Sequence, residues 1–453
     1  MPKNIVIFSD GTGQRSGERF EENRTNIYKL YRASKCGPDS AINPEEQFAF
    51  YDPGIGTIPP HRWFLGAAFS RFYNLICQAT GLGLTGNIKD CYTAILKVYE
   101  PGDRIFLFGF SRGAYTVRCL AAVLHFCGVA TQSNDGSPLK KDKKTLDGVA
   151  AEAVERVYQH VGSPKESAYV EQRKLLGERF RNEHKSEVAY PHFIGVFDTV
   201  ASVANYASLA GATGISLIAI CGAAGALGYW MGGFWVWFVG LFILAAFVSF
   251  IAYLKTHLRF AFGLPGIPWL KTVHLNALHM QFYDKSLNTN VGWARHALAI
   301  DECRKDFDRV PWGYSGDDRK VGTGEPVWLK QVWFSGNHAD IGGGYPDTES
   351  RLSDAALEWM LDQARKIPNG LLFDSSVLKP YPSAKGMQHD ETKSFAFRFA
   401  AKIVREINPE APLHPSVIER FKLPSVLQLD EAKPYRPEGL RGHKKVSEFY
   451  DTN

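Results

Sequence analysis

Cysteine is scarce in this 453-residue chain, and charge is missing from one long stretch of it. The seven cysteines, at positions 36, 77, 91, 119, 127, 221 and 303, are odd in number and form no Cys-x-x-Cys pair. That excludes a disulfide framework and a cysteine zinc site and leaves reduced thiols. The chain has no Gly-x-x-x-x-Gly-Lys-Ser/Thr loop for a nucleotide and no His-Glu-x-x-His for zinc, and Gly11-x-Gly13 lacks the third glycine of a dinucleotide fingerprint. The expected cofactor and metal content is none. No internal repeat of fixed period is visible. Ile5-Val6-Ile7-Phe8 is only a four-residue apolar run before polar residues, so the start of the chain reads as a buried strand and not as a signal or transit peptide.

At 45% hydrophobic and 22% charged, with 42 Gly and 24 Pro, the composition excludes collagen-like, low-complexity and highly charged disordered classes. A net charge of +5 is a mild basic bias. The densest basic run, Lys140-Lys141-Asp142-Lys143-Lys144, is interrupted by an acid and reads as a solvated loop, so nucleic acid is not an expected partner.

Residues 199–254 contain no Asp, Glu, Lys or Arg. Chance gives such a gap with a probability on the order of 10⁻⁶ at this charge content, so a physical cause is needed. Its most apolar parts, 208–228 and 234–254, are each long enough to cross a bilayer core as a helix. Tyr229-Trp230-Met231-Gly232-Gly233 between them reads as a tight turn, with Trp235 and Trp237 just inside it. Small residues, Ala210/Gly214 and Gly222/Ala226, would let the two helices approach closely. A buried helical hairpin in a soluble core is the alternative, but such helices usually keep one wet face. Lys255, Arg259 and Lys271 follow the second span while the turn is uncharged, which places the globular part on the cytoplasmic side of an inner membrane. A protein delivered to another cell would be free to insert from the opposite face.

Elsewhere strand and helix alternate. Strands are expected at 5–8, 47–51, 105–108, 193–197 and 327–334. Helices are expected at 25–33, 88–99, 112–127, 146–161 and 169–183, with a well-capped one at 353–365 and another around 392–407 in an otherwise irregular C-terminal region. The fold class is α/β: a mostly parallel sheet covered by helices on both faces, with helical insertions and the apolar hairpin.

Gly109-Phe110-Ser111-Arg112-Gly113 carries the clearest chemical signal. It follows a strand and precedes a helix, as a nucleophile elbow requires, and its glycines give the turn room. A serine hydroxyl needs a base and an orienting acid. Asp198, after the apolar run 193–197, is the best acid; its alternative is a helix N-cap or turn residue. His338, on the Gly-rich loop after 327–334, is the best histidine, ahead of His274, His279 and His296. Arg112 and Gly11 would supply the oxyanion N–H groups, with Thr12 and Asp340 nearby in support. Asp10 either ties down its loop or makes an Asx-turn.

Several segments together resemble a known family. Val6-Ile7-Phe8-Ser9-Asp10-Gly11-Thr12 with Thr25-Asn26, the stretch 51–57, Gly109 to Tyr115, 195–200, 294–302 and 333–345 are similar to the uncharacterised α/β-hydrolase domain family that includes type VI secretion lipase effectors of the first class. The resemblance spans about residues 3–365. It implies an α/β-hydrolase fold, a triad on Ser111, Asp198 and His338, and phospholipase A chemistry on glycerophospholipids. An immunity or secretion-system partner, and delivery into a target cell, are implied by the resemblance alone.

The resulting expectation is a membrane-associated serine ester hydrolase. Its hydrolase core occupies 1–204 and 257–366, a transmembrane hairpin occupies 205–256, and an irregular region occupies 367–453. The membrane lipid is substrate and the bilayer is partner. The aromatics beside Arg62 (Trp63, Phe64, Phe69, Phe72, Tyr73) and those beside Arg259 (Phe260, Phe262, Trp269) would rest in the interface or in the core. An esterase or thioesterase for smaller acyl substrates, or a non-catalytic membrane scaffold, are the rival readings.

Overall fold

A computed structural model describes residues 2–11, 23–37, 40–54, 83–133, 135–200, 206–276, 287–307, 309–310, 312, 327–393 and 401–450. Within these, six strands make one sheet: β1 (Asn4–Ser9), β2 (Gln47–Asp52), β3 (Arg104–Phe110), β4 (Pro191–Phe197), β5 (Trp293–Ala299) and β6 (Leu329–Phe334). Their order is β2-β1-β3-β4-β5-β6, and all neighbours run parallel. The helices used below are α1 (Asn26–Ser34), α2 (Leu84–Val98), α3 (Arg112–Cys127), α4 (Lys143–Ala151), α5 (Val170–Glu183), α6 (Tyr206–Met231), α7 (Phe234–His257), α8 (His338–Gly342), α9 (Arg351–Arg365) and α10 (Pro415–Lys422).

Every residue of β1 is buried because both faces of the sheet are covered. Alternation along the strands divides the core. Ile5, Ile7, Ile105, Leu107, Ile194 and Val196 pack with α2, α3, α4 and α5. Val6, Phe8, Phe106, Phe108, Phe193 and Phe197 pack with α1 and α9. On that second face Phe8 stacks on Phe108 at 5.2 Å, and Phe108 lies 5.4 Å from Phe193, a ladder of rings across three strands. A third apolar cluster joins Leu298, Ile300 and Trp333 to Leu413, Val417, Phe421 and Tyr435, fastening the C-terminal region against the β5–β6 side. The chain leaves β1 for β2 on one side and then crosses to β3 on the other. The β1–β3 boundary is therefore the switch point, outside whose carboxyl ends open α/β sheets place their sites.

The expected strands and the helices at 25–33, 88–99 and 112–127 form close to their anticipated bounds. Strand β5 was not singled out as one, because Arg295 and His296 interrupt its Ala-rich run. Both are buried: Arg295 Nε donates to Gln363 Oε1 at 2.9 Å, and its NH1 donates to the Ala294 and Trp328 carbonyls.

The helix expected at 392–407 is a correction. Residues 394–400 lie outside the described residues, and 401–407 form no helix. Lys305 and Ile403 exchange backbone bonds with Ala401 and Cys303, so this segment lies strand-like beside 303–305. Helix α9 begins at Arg351, and Ser350 Oγ donates to the Tyr345 and Pro346 carbonyls instead of capping the first turn. Thr12, His279 and the aromatics at 63–73 lie outside the described residues.

Helices α6 and α7 form an antiparallel hairpin. The turn is shorter than expected: α6 continues through Met231, and only Gly232 and Gly233, at φ 75° and 74°, reverse the chain. None of the described side chains of α7 is buried, and Tyr229 and Trp230 at the tip are 86% and 84% exposed. Among the described residues α7 alone is long and apolar enough to cross a membrane; the comparable part of α6, Ser216–Met231, is apolar but shorter.

Candidate active site

The turn from β3 into α3 forces Ser111 to φ 57°, a left-handed conformation costly for a residue with a Cβ. The flanking glycines make that turn sterically feasible. A Cβ on Gly113 would sit 2.0 Å from the Ser9 carbonyl oxygen, and one on Gly109 would sit 2.5 Å from that of Gly113, both rigid backbone atoms. The Ser111 N–H donates to the Phe197 carbonyl at 3.1 Å, which ties the turn to the tip of β4 one residue before Asp198. Ser111 is 7% exposed.

Asp198 also stands at positive φ, 35°, and is fully buried. Its Oδ2 accepts from His338 Nδ1 at 2.6 Å. Because an ionised carboxylate only accepts, the shared proton belongs on Nδ1 and the lone pair on Nε2. That Nε2 is buried and makes no hydrogen bond within the described residues. The His338 ring lies 4.7 Å from the ring of Phe110, adjacent in sequence to Ser111, and makes a T-shaped contact with the Phe307 ring at 5.0 Å. The structure thus joins Asp198 to His338 directly. Ser111 is linked to Phe197, the residue before Asp198, by its backbone N–H, and its neighbour Phe110 lies against the His338 ring.

Two charged side chains that sequence reasoning missed complete the arrangement. Arg405 NH1 donates to Asp198 Oδ1 at 2.6 Å and NH2 to Oδ2 at 3.1 Å, and the pair is buried. Burial pushes the Asp198 carboxyl up, but the Arg405 guanidinium and His338 outweigh it and hold it well below the usual carboxylate range. Glu302 Oε2 accepts the His338 backbone N–H at 3.2 Å, while Arg304 grips both Glu302 oxygens and lies over the Phe307 ring. Glu302 falls within one of the resembling segments. Arg405 offered no signal: it belongs to no motif and lies in the segment expected to be helical.

The supporting acids tie loops together. Asn337 caps α8 and Asp340 closes its capping box, while Asp340 Oδ1 accepts from His389 Nδ1 at 2.7 Å. Asp340 therefore holds the histidine loop and does not reach the Asp198–His338 pair. Asp10 ties down its loop: its carboxylate accepts from Thr25 Oγ1 at 2.5 Å, Tyr51 Oη at 2.8 Å and the Gly11 N–H at 2.7 Å. The last bond engages the N–H expected to serve the oxyanion. Gly11 does lie against the site, its Cβ direction ending 3.4 Å from Ser111 Cβ. Of the competing histidines, His296 is buried on β5, accepts from the Thr199 N–H at 3.3 Å and is pushed down to about 3 by burial. His274 contacts the Thr272 and His160 carbonyls and stacks on Tyr169.

Burial raises the Asp10 carboxyl from 3.8 to about 7, against the three bonds it accepts, and raises Asp52 to about 6. A carboxyl raised in the folded state contributes stability that is complete below about 3.8 and is lost as pH climbs through about 7. Asp10→Asn removes this term. The variant's Tm relative to wild type is expected to rise between about pH 4 and pH 7 in calorimetry and to level off above that. Parallel Tm curves would contradict it.

A parallel sheet with helices on both faces, a strained serine at a strand-to-helix turn and a carboxylate–histidine pair beside it define an α/β-hydrolase-like protein. The family described as type VI secretion system phospholipase effector Tle1-like, catalytic domain, matches residues 3–216 and 260–363, and the chain belongs to it. The match omits most of the hairpin and everything beyond 363, including Arg405. An uncharacterized protein of Saccharomyces cerevisiae is 31% identical over 205 residues, 44% of this chain and 27% of that protein. Among solved structures, an uncharacterized protein from Pseudomonas aeruginosa is 16% identical with a TM-score of 0.37, covering 84% of this chain and 48% of its own. The Tle1 effector bound to the VgrG spike of the type 6 secretion system is 16% identical with a TM-score of 0.30, covering 76% and 52%. The chain spans about half the length of these structural relatives and about a quarter of the yeast protein.

Proposed function

We propose that the chain is a membrane-associated serine hydrolase that cleaves acyl esters of glycerophospholipids. The observation that carries this reading is a histidine whose Nδ1 is committed to a buried carboxylate, leaving Nε2 unbonded, in a fold that also carries a positive-φ serine at a strand-to-helix turn. Membership in a family of phospholipase effector catalytic domains supports the substrate class.

In this reading Ser111 Oγ attacks the acyl carbonyl carbon as His338 Nε2 takes its proton. The charge that develops on the carbonyl oxygen is met by the N–H of Arg112 and the positive end of α3. The Gly11 N–H joins only when Asp10 releases it. The tetrahedral intermediate collapses to an acyl-serine as His338 returns the proton to the departing lysolipid alkoxide. Water, deprotonated by the same histidine, then frees the fatty acid and restores Ser111. Asp198 keeps the imidazole in the right tautomer and stabilises its charged form.

Helix α7 supplies the membrane contact. Lys255, Arg259 and Lys271 at its end, against the uncharged tip, favour a catalytic domain on the cytoplasmic side. Phe260, Phe262 and Trp269 form an exposed aromatic ledge beside the hairpin base, with ring centroids 5.3 and 5.6 Å apart, suited to the headgroup zone. A hydrolase held there takes its ester laterally, without moving a whole lipid through water. Delivery through a secretion system rests on family membership alone.

The test offers the purified protein phosphatidylethanolamine–phosphatidylglycerol vesicles and, separately, a soluble short-chain ester. Fatty acid and lysolipid are expected from the vesicles, faster than the short ester is cleaved. Cleavage of the short ester alone would transfer the reading to small acyl substrates. Hydrolysis of neither would leave a non-catalytic membrane protein.

A further inference from the structure

Arg405 is an unexpected neighbour for a catalytic carboxylate. Asp198 is fully buried and already accepts from His338 Nδ1 and from the Ala299 N–H at 3.1 Å. The guanidinium adds a bond to each oxygen and anchors its other N–H groups on the Ala299 and Phe307 carbonyls at 2.9 and 2.7 Å. A cation so placed works against one part of the proposed chemistry. It neutralises the carboxylate that would otherwise stabilise the imidazolium formed during attack. Its position is nonetheless built: a planar fork meets a carboxylate in the geometry that fixes both oxygens at once. The segment that carries it is held in place by backbone bonds to 303–305.

We infer that Arg405, contributed by the C-terminal region outside the matched catalytic domain, is a positioning residue that locks Asp198 in the orientation His338 needs. The inference rests on the serine-hydrolase reading above. Holding both oxygens leaves the Asp198 side chain a single rotamer, the one in which Oδ2 meets Nδ1.

The other charged groups around the pair leave this effect to Arg405. Glu302, beyond β5, approaches the His338 backbone but is neutralised by Arg304, which also lies 3.7 Å from Glu391. Asp340, on the same short helix as His338, is engaged by His389, itself 3.3 Å from Glu349. His296 on β5 is kept neutral by burial. Among the described residues, Arg405 is the guanidinium bonded to Asp198.

The experiment measures kcat and KM on phospholipid vesicles for wild type, Arg405→Gln and Arg405→Lys, with active sites counted by fluorophosphonate labelling and Ser111→Ala as the blank. In Arg405→Gln kcat per active site is expected to fall about tenfold with KM unchanged. In Arg405→Lys the charge remains but the fork is lost, so kcat per active site should fall by about the same factor. A role limited to stabilising the fold would lower the number of active sites without changing kcat per site. A folded Arg405→Gln protein with the wild-type kcat per site overturns the inference. Where the Gln variant does not fold, as circular dichroism would show, the Lys variant decides: wild-type kcat per site overturns it. Activity retained by Ser111→Ala would instead overturn the serine-hydrolase reading, so the two failures are distinct.

Discussion

Ser111→Ala is expected to lower fatty-acid release from phospholipid vesicles by about 10⁶-fold, and Asp198→Asn by about 10⁴-fold. The difference follows from what each change removes. Without the hydroxyl no acyl-enzyme forms, and little but surface binding is left. With Asn at 198 the nucleophile and base remain, but the amide can present an N–H to Nδ1 and favour the tautomer that puts the imidazole proton on Nε2, where it blocks attack. Stability separates the two variants in the opposite sense. Ser111→Ala removes only a hydroxyl and keeps the Cβ at φ 57°, so the backbone strain is unchanged and its Tm should stay close to wild type. Asp198→Asn leaves the Arg405 guanidinium buried against a neutral amide, which costs about 3–5 kcal/mol in comparable buried pairs. Adding Arg405→Gln to Asp198→Asn should recover much of that Tm without restoring activity. Thermal melts and single-turnover acyl release measure the two quantities. Equal activity of Ser111→Ala and wild type would remove the nucleophile from the argument altogether.

The same residues show how much of the site could be read from the sequence. The elbow was legible because a backbone this tight admits few residue types: a Cβ at 113 would collide with the Ser9 carbonyl, and one at 109 with the backbone of Gly113 and Ala114. Strands β1, β3 and β4 were legible because a parallel sheet covered on both faces needs unbroken apolar runs. Asp198 and His338 could be chosen because each follows such a run. Strand β5 was missed where buried polar side chains, Arg295 and His296, broke the pattern; their partners lie on other elements, and local reading cannot supply them. Arg405 was missed for the same reason in stronger form. Its segment carries a helical pattern, yet the backbone bonds of 401 and 403 go to 303–305, a tertiary pairing that overrides local preference. Glu302 and Thr25 were visible only as parts of resembling segments. Their roles, accepting the His338 N–H and bridging Asp10 to the start of α1, appear once the loops are brought together. The Gly11 N–H shows a limit of another kind: the right residue was placed at the site, but its donor is bonded to the side chain of its own neighbour.

Replacing 206–257 by a short Gly-Ser linker is expected to move the protein from the membrane pellet to the supernatant. The catalytic domain should tolerate the excision, because an antiparallel hairpin returns the chain close to where it left and α7 buries none of its described side chains. At 24 residues α7 is about 36 Å long, enough for a hydrocarbon core of about 30 Å. Its exposed Phe, Val, Ile and Leu side chains would present to water an apolar surface far larger than soluble monomers carry. The shortened protein should hydrolyse a soluble short-chain ester at the wild-type rate, since Ser111, Asp198 and His338 all lie outside the excised segment. Vesicle hydrolysis should fall by about 10²-fold or more, in proportion to the lost surface concentration. A gentler substitution localises the effect: Leu244→Lys with Phe247→Lys puts two charges mid-helix, each costing about 2.5–3.5 kcal/mol in a bilayer and almost nothing in water. Both variants are read by sedimentation with vesicles. A shortened protein that still pellets with lipid would shift the anchoring role to the aromatic ledge at Phe260, Phe262 and Trp269, which remains after the excision. A lysine pair that leaves sedimentation unchanged while the excision abolishes it would mean that the hairpin lies along the membrane surface and does not cross it.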